Sequence, residues 1–271
     1  FDMATTAGSK LLENFRTGRD ATQIDRLRAA GAIILAKTNM HEFAYGITTC
    51  GSMFGQTKNP YDPGRNAGGS SGGTAAAVAA NFATVGMGSD TCGSIRIPAA
   101  HNNLVGLRGT QGLASRHGIV PLSHTQDIGG PIGRCIADVA SVLDVTVGFD
   151  EHDSQTARSQ GKVPPSYLSG LQEATLEGKR IGILHNVLHA DDVEPEVRAV
   201  LENAMQQLAE DLEVTGIDIP GIDQLLQDPM GGHLVLMEDF KWDIGDYLAA
   251  QPNAPVTTLQ QIIDSHTCHP A

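Results

Sequence analysis

Gly68-Gly69-Ser70-Ser71-Gly72-Gly73-Thr74, followed by Gly88-Ser89-Asp90-Thr91-Cys92-Gly93-Ser94-Ile95-Arg96-Ile97-Pro98-Ala99, is the stretch on which the reading of this chain turns. Between Pro60 and Gly133, Gly, Ser, Thr and Ala crowd out large side chains. Such a composition elsewhere marks a flexible linker. Here the glycines are interleaved with regular patterns. Thr74 to Ala80 is helical in composition and Ala83 to Met87 reads as a strand, so the elements between Ser70 and Ser94 can fold the two clusters together. Glycine inside regular structure usually means that something approaches the backbone closely. The short residues around Ser94 leave consecutive backbone N–H groups able to face an anion, which is what a developing oxyanion needs. Ser94 is then a nucleophile in need of a base.

Other glycine-rich motifs fail on spacing. No Lys follows the run as GxxxxGK[ST] requires, and the pattern is not GxGxxG. Gly68 to Gly72 matches GxSxG in form, but no convincing strand precedes it. A His–Asp partnership for a serine stays open, because ten histidines are scattered along the chain.

Outward from the clusters, Asp20 to Ala30 reads as a helix, with Asp20 as N-cap, Gln23 completing a capping box and Gly31 as the stop. Ala32 to Lys37 is an apolar run bounded by turn signals and reads as a buried strand. Arg180 to Leu184 reads as another. After Pro195, Val197, Val200, Leu201, Ala204, Met205, Leu208 and Leu212 recur at three- and four-residue steps, a helix with Pro at its start. Val214 to Ile219 reads as a further strand. Strands alternating with helices predict an α/β layer architecture with a largely parallel sheet. Val163 to Gly170, with Pro164 and Pro165, is the expected surface connection, and there is no internal repeat.

With 41% hydrophobic and 18% charged residues in 271, the chain is globular rather than disordered. A formal net charge of -13 argues against unaided binding to nucleic acid or an anionic membrane surface. The strongest apolar run, Ala32 to Ala36, is far below the roughly 20 residues a membrane helix needs. No secretory pattern opens the chain, and Phe1 stands in mid-pattern, so a start further upstream is expected. Cys50, Cys92, Cys135 and Cys268 form neither a CxxC pattern nor a disulfide framework, which suits reduced thiols in a cytoplasmic setting. His185 and His189 have i, i+4 spacing but no HExxH Glu, and His185 ends a predicted strand, so no metal is expected.

The two clusters resemble the amidase signature family. The resemblance extends through Leu104-Val105-Gly106-Leu107-Arg108-Gly109-Thr110, Gly118-Ile119-Val120-Pro121-Leu122 and Gln126-Asp127-Ile128-Gly129-Gly130-Pro131. It also takes in Thr5 to Ser9 and Lys37 to Ala44, and more weakly Glu238 to Ala249 with Thr258-Leu259. It implies one amidase-type domain over residues 1–271 with its signature core at 60–135. Its fold would be mixed α/β, with a largely parallel sheet covered by helices on both faces. It implies an amide hydrolase working through a Ser–cis-Ser–Lys triad. Ser94 would be the nucleophile, and Ser70, held by a cis Gly69–Ser70 peptide, the bridging hydroxyl. The N–H groups of Thr91, Cys92, Gly93 and Ser94 would meet the substrate oxyanion, with Asp90, Ser71 and Arg96 in support.

The implied Lys belongs to a Lys-Asp-Asn type motif whose continuation Phe1-Asp2-Met3-Ala4-Thr5-Thr6 resembles. It is therefore expected just upstream of Phe1, and Lys37 is assigned a structural role. Cys92 stands where the family usually has Gly. The C-terminal residues from Ser265 onward depart from the family, so the chain is expected to be cut at both ends. No cofactor is implied. The expected partners are a small-molecule amide and a second copy of the chain in a homodimer. Three alternatives remain: an amidotransferase component supplying ammonia to a partner, a Cys92-based hydrolase, or a non-catalytic remnant.

Overall fold

The computed structural model describes residues 3–184, 193–211, 213–217 and 229–269. The chain divides into two compact units, one of Phe1–Ser169 with Val235–Ala271 and one of Gly170–Leu234.

In the first unit, α1 (Thr22–Ala29) precedes α2 (Gly72–Ala79), β1 (Val85–Asp90), α3 (Arg96–His101), β2 (Val105–Gly106), β3 (Ile128–Gly133) and α4 (Ile136–Thr146). The strands form one sheet in the order β1-β3-β2. β1 runs antiparallel to β3, with Val85 opposite Gly133 and Asp90 opposite Ile128, and β2 is antiparallel to β3 as well. Every residue of β3 is buried. A central strand covered on both faces needs apolar and small residues throughout, and Ile-Gly-Gly-Pro-Ile-Gly supplies them. Beside the sheet, Ala75 of α2, Ile95, Ala99 of α3 and Ile132 of β3 form one buried cluster.

α5 (Tyr167–Glu173) opens the passage to the second unit, where β4 (Arg180–Leu184), α6 (Pro195–Asp211) and β5 (Glu213–Ile217) follow. β4 and β5 pair in parallel, Arg180 opposite Glu213. α7 (Pro229–Ala249) and α8 (Leu259–Asp264) complete the described chain. From Val235 onward α7 belongs to the first unit. Leu236, Phe240, Ile244 and Leu248 recur every four residues, and that stripe is buried with Leu12, Phe15, Phe43, Leu122 and Ile262.

The mixed α/β class is as expected, but strand direction is divided. The parallel pairing that alternating strands and helices suggest occurs at β4–β5, whereas the sheet around the two clusters is antiparallel. α2 begins two residues earlier than expected, and β1 starts two residues later and ends three residues later than Ala83 to Met87, because its bounds follow its ladder with β3. β4 and α6 fall where periodicity put them. Leu212 of the expected helix, residues 218 and 219 of the expected last strand, and the pair His185 and His189 lie outside the described residues.

Two local expectations fail. Ala32 to Lys37 is not a strand, and Ile33 and Leu35 are 82% and 65% exposed. Among the described residues no ladder partner lies beside this run, and an apolar run without one has no reason to adopt strand pairing. At α1 the N-cap is Ala21, with no side-chain cap. Asp20 instead forms an ion pair with Arg28. The buried Gln23 donates its side-chain amide to the Ser115 carbonyl at 2.7 Å, so neither side chain is available to the helix end. Gly31 has φ +93° and does terminate the helix.

Candidate active site

The first cluster packs backbone on backbone just ahead of α2. The Gly69–Ser70 peptide is cis, at the bond the resemblance indicated. A Cβ on Gly69 would lie 2.7–2.8 Å from backbone atoms of Ile47, Thr48 and Thr49, so only glycine fits. Thr49 closes the loop from the other side. Its hydroxyl lies 2.7 Å from the Gly68 carbonyl and 3.0 Å from the Ser70 carbonyl, and it accepts the Gly72 N–H at 2.9 Å. The His41 N–H donates to the Ser70 carbonyl at 3.0 Å.

The second cluster is the turn between β1 and α3, and it is organised around Asp90. Asp90 is fully buried (0% exposed), and six donors reach its carboxylate. Oδ1 accepts the Gly93 N–H at 2.8 Å, Arg96 Nη2 at 3.1 Å and Arg108 Nη1 at 3.0 Å. Oδ2 accepts the Ile95 N–H at 3.1 Å, the Arg96 N–H at 3.3 Å and Arg96 Nε at 3.1 Å. Burial by itself would raise this carboxyl. The hydrogen bonds from Arg96 and the Ile95 N–H outweigh it, and Asp90 is held below the usual carboxylate value. Gly93 has φ +135°, a conformation that glycine takes without strain.

The clusters touch. The Ser71 N–H donates to the Ser94 carbonyl at 3.2 Å. The Ser71 hydroxyl bridges to the backbone of Ser89, 3.3 Å from both its carbonyl and its N–H. Ser70 is 0% and Ser94 6% exposed. The Ser70 hydroxyl is buried without a hydrogen-bond partner among the described residues. Among those residues the N–H groups of Thr91, Cys92 and Ser94 have no acceptor, whereas the Gly93 N–H is taken up by Asp90. Of the four N–H groups expected to meet an oxyanion, that of Gly93 is thus engaged by Asp90.

Around this turn, Thr91 Oγ1 donates to Asp127 Oδ1 at 2.5 Å. Asp127 Oδ2 accepts the N–H groups of Leu122 and Ser123 at 2.8 and 3.0 Å. Burial pushes the Asp127 carboxyl up despite these bonds. Cys92 is exposed, with Sγ 3.7 Å from Gln126 Oε1. Partial desolvation on the protein side of the thiol, and then the nearby Asp90 charge, push its pKa up. Lys37 Nζ donates to Thr5 Oγ1 at 2.5 Å and to the Met3 carbonyl at 3.4 Å. Burial lowers its pKa against the pull of Asp20.

Thr49 escapes sequence reasoning because it stands in no motif, and Asp127, although in the resembling stretch Gln126 to Pro131, is given no role there. No role is given either to His124, Asp239 and Asp243, whose ligand-type atoms lie within 4.8 Å of one another. His124 Nδ1 is 2.8 Å from Asp243 Oδ1, and its N–H donates to Asp243 Oδ2 at 2.6 Å, tying α7 to the loop before β3. Two cavities, of about 200 and about 470 Å³, are lined by Arg116, His152 and Asp127 and by Arg16, Asp20 and Lys37 respectively. Neither is lined by Ser70 or Ser94. No helix among the described residues is long and apolar enough to cross a membrane.

A family model described as Amidase matches residues 1–244. The A component of the glutamyl-tRNA(Gln) amidotransferase of Symbiobacterium thermophilum is 45% identical over 208 residues, 77% of this chain and 42% of that protein. The native peptide amidase of Stenotrophomonas maltophilia superposes with a TM-score of 0.87 at 38% identity, over 97% of this chain and 54% of that one. The corresponding A component of the glutamyl-tRNA(Gln) amidotransferase of Thermotoga maritima gives 0.80 at 30%, over 97% and 54%. This chain spans about half the length of these relatives. With a family match across most of its residues, the chain belongs to the amidase family.

Proposed function

We propose that the protein cleaves a carboxylic amide through a seryl acyl-enzyme. Ser94 Oγ attacks the amide carbonyl. Its proton passes to Ser70 Oγ, and the Ser70 proton passes to the lysine that the resemblance implies upstream of Phe1. The oxyanion accepts hydrogen bonds from the N–H groups of Thr91, Cys92 and Ser94. Collapse breaks the C–N bond, and the relay run in reverse protonates the leaving amine or ammonia. Water then attacks the acyl-enzyme, with the same groups taking its proton, and the carboxylic acid leaves.

The observation that carries this reading is the buried Ser70 hydroxyl, which has no hydrogen-bond partner among the described residues, in a loop stitched to Ser94 through the Ser71 N–H. A buried hydroxyl with no partner costs about 1–3 kcal/mol, and a group that must hand protons between two neighbours explains its retention. A Cys92 nucleophile is disfavoured by geometry: its Sγ faces the Gln126 amide oxygen at 3.7 Å, which cannot serve as a base. The substrate is read as a small-molecule amide. The four unpaired cysteines suit a reducing, cytoplasmic location.

A second reading is an amidotransferase component that passes ammonia to a partner, favoured by the amidotransferase proteins among the curated relatives. Peptide amidase is the nearer in structure of the two solved relatives, which favours hydrolysis. The protein with the residues upstream of Phe1 restored, assayed alone on simple amides, should release ammonia or amine. Ser94→Ala should lower that rate by roughly 10³-fold or more. Full turnover in Ser94→Ala refutes the acyl-enzyme. Turnover that appears only with a co-purifying protein selects the second reading.

A further inference from the structure

We propose that Asp127 is a positioning residue for amide cleavage, acting through Thr91 on the backbone donors that meet the oxyanion. The proposal rests on the acyl-enzyme reading above and adds a residue to it. Donors work only when their geometry is set before the charge develops. The turn at residues 91–93 is anchored on one side by Asp90, which takes the Gly93 N–H. On the other side its side-chain anchors are Thr91 Oγ1 on Asp127 at 2.5 Å and the weaker contact of Cys92 Sγ with Gln126 at 3.7 Å. Thr91 therefore offers an N–H with no acceptor among the described residues while its own hydroxyl is fixed.

Asp127 is itself fixed. Its second oxygen holds the N–H groups of Leu122 and Ser123. The Ser123 hydroxyl donates to Asp239 Oδ2 at 2.5 Å, and Thr125 Oγ1 donates to the same oxygen. Asp239 stands on α7, whose neighbouring Leu236, Phe240 and Ile244 are buried in the core. A strut of hydrogen bonds thus runs from a packed helix through Ser123 and Asp127 to Thr91. A carboxylate repels a developing oxyanion and cannot itself stabilise it. Its contribution is therefore positional.

Thr91→Val keeps the side-chain shape and removes the hydroxyl. It should lower kcat about 10- to 100-fold, less than or equal to the loss of a whole oxyanion donor, with KM within about twofold. Thr91→Ser, which keeps the hydroxyl, should stay within about threefold of wild type. Asp127→Asn should fall with Thr91→Val, and the double variant should be no worse than the poorer single, as expected for residues acting in series. The inhibition constant of a boronic acid that forms a tetrahedral adduct on Ser94 should rise by the same factor as kcat/KM falls. Its affinity, read by calorimetry, reports the same geometry whatever the turnover.

Wild-type kcat and boronate affinity in Thr91→Val overturn the proposal. So does an equal loss in Thr91→Ser, or a change confined to KM. If Asp127→Asn does not fold, the two Thr91 variants decide. Ser94→Ala separates the layers: full turnover there removes the acyl-enzyme reading, whereas a dead Ser94→Ala beside an unaffected Thr91→Val removes only the role of Asp127.

Discussion

Asp90→Asn should cost the protein about 3 kcal/mol of stability. In the variant one carboxylate oxygen becomes an NH2, so three of the six donors around Asp90 face a donor. If Oδ2 is the one replaced, the Ile95 N–H, the Arg96 N–H and Arg96 Nε lose their acceptor. If it is Oδ1, the losers are the Gly93 N–H, Arg96 Nη2 and Arg108 Nη1. The Arg96 side chain is 52% exposed, so water replaces its bonds at little cost. Two less accessible donors remain in either case, at about 1–3 kcal/mol each, and partial relaxation brings the sum to about 3 kcal/mol. At roughly 2–4 °C per kcal/mol this lowers Tm by roughly 6–12 °C.

The pH dependence has a definite sign. The Asp90 carboxyl is held below its ordinary value in the folded state, so its stabilisation is fully present above the unfolded carboxylate pKa of about 3.9 and is lost as pH falls through the folded value. The gap between wild type and Asp90→Asn should be constant from about pH 7 to 5 and narrow only in stronger acid. Calorimetric melts across that range give the answer. A variant melting within about 1 °C of wild type, or a gap that closes between about pH 7 and 5, refutes the role given to Asp90.

Thr49→Val removes the acceptor of the Gly72 N–H and the donor facing the Gly68 and Ser70 carbonyls. It should lower the denaturant midpoint by the equivalent of about 1–3 kcal/mol and reduce kcat; unchanged values of both would show that the loop holds its shape without Thr49. Cys92→Ala should keep turnover within about twofold of wild type, because the Cys92 side chain faces the Gln126 amide and only its backbone N–H enters the proposed mechanism. Loss of activity there, together with thiol-reagent sensitivity that persists in Ser94→Ala, would move the nucleophile to Cys92.

Periodicity succeeded where an element carries its own reason for existing. β4 and α6 lie where short-range patterns put them, since β-branched alternation and three-four spacing are local properties. It failed where a distant partner intervened. Ile33 and Leu35 look like strand residues, but strand pairing requires a neighbour with free backbone groups, and the described residues place none there. Asp20 and Gln23 make a convincing cap in sequence, yet Arg28 and the Ser115 carbonyl compete for them more effectively. The direction of β1 against β3 was also invisible, because their register joins residues far apart in the chain.

Residue order and size already single out Ser70 and Ser94 and the glycines that let backbones close on each other, since steric permission is decided within a few residues. Folding alone settled which donors remain open. Asp90 claims the Gly93 N–H and leaves those of Thr91, Cys92 and Ser94, while Thr49 and Asp127 grip the two loops from remote segments. Hydrogen bonds are short and directional, so their pairing follows from three-dimensional proximity that no spacing along the chain encodes.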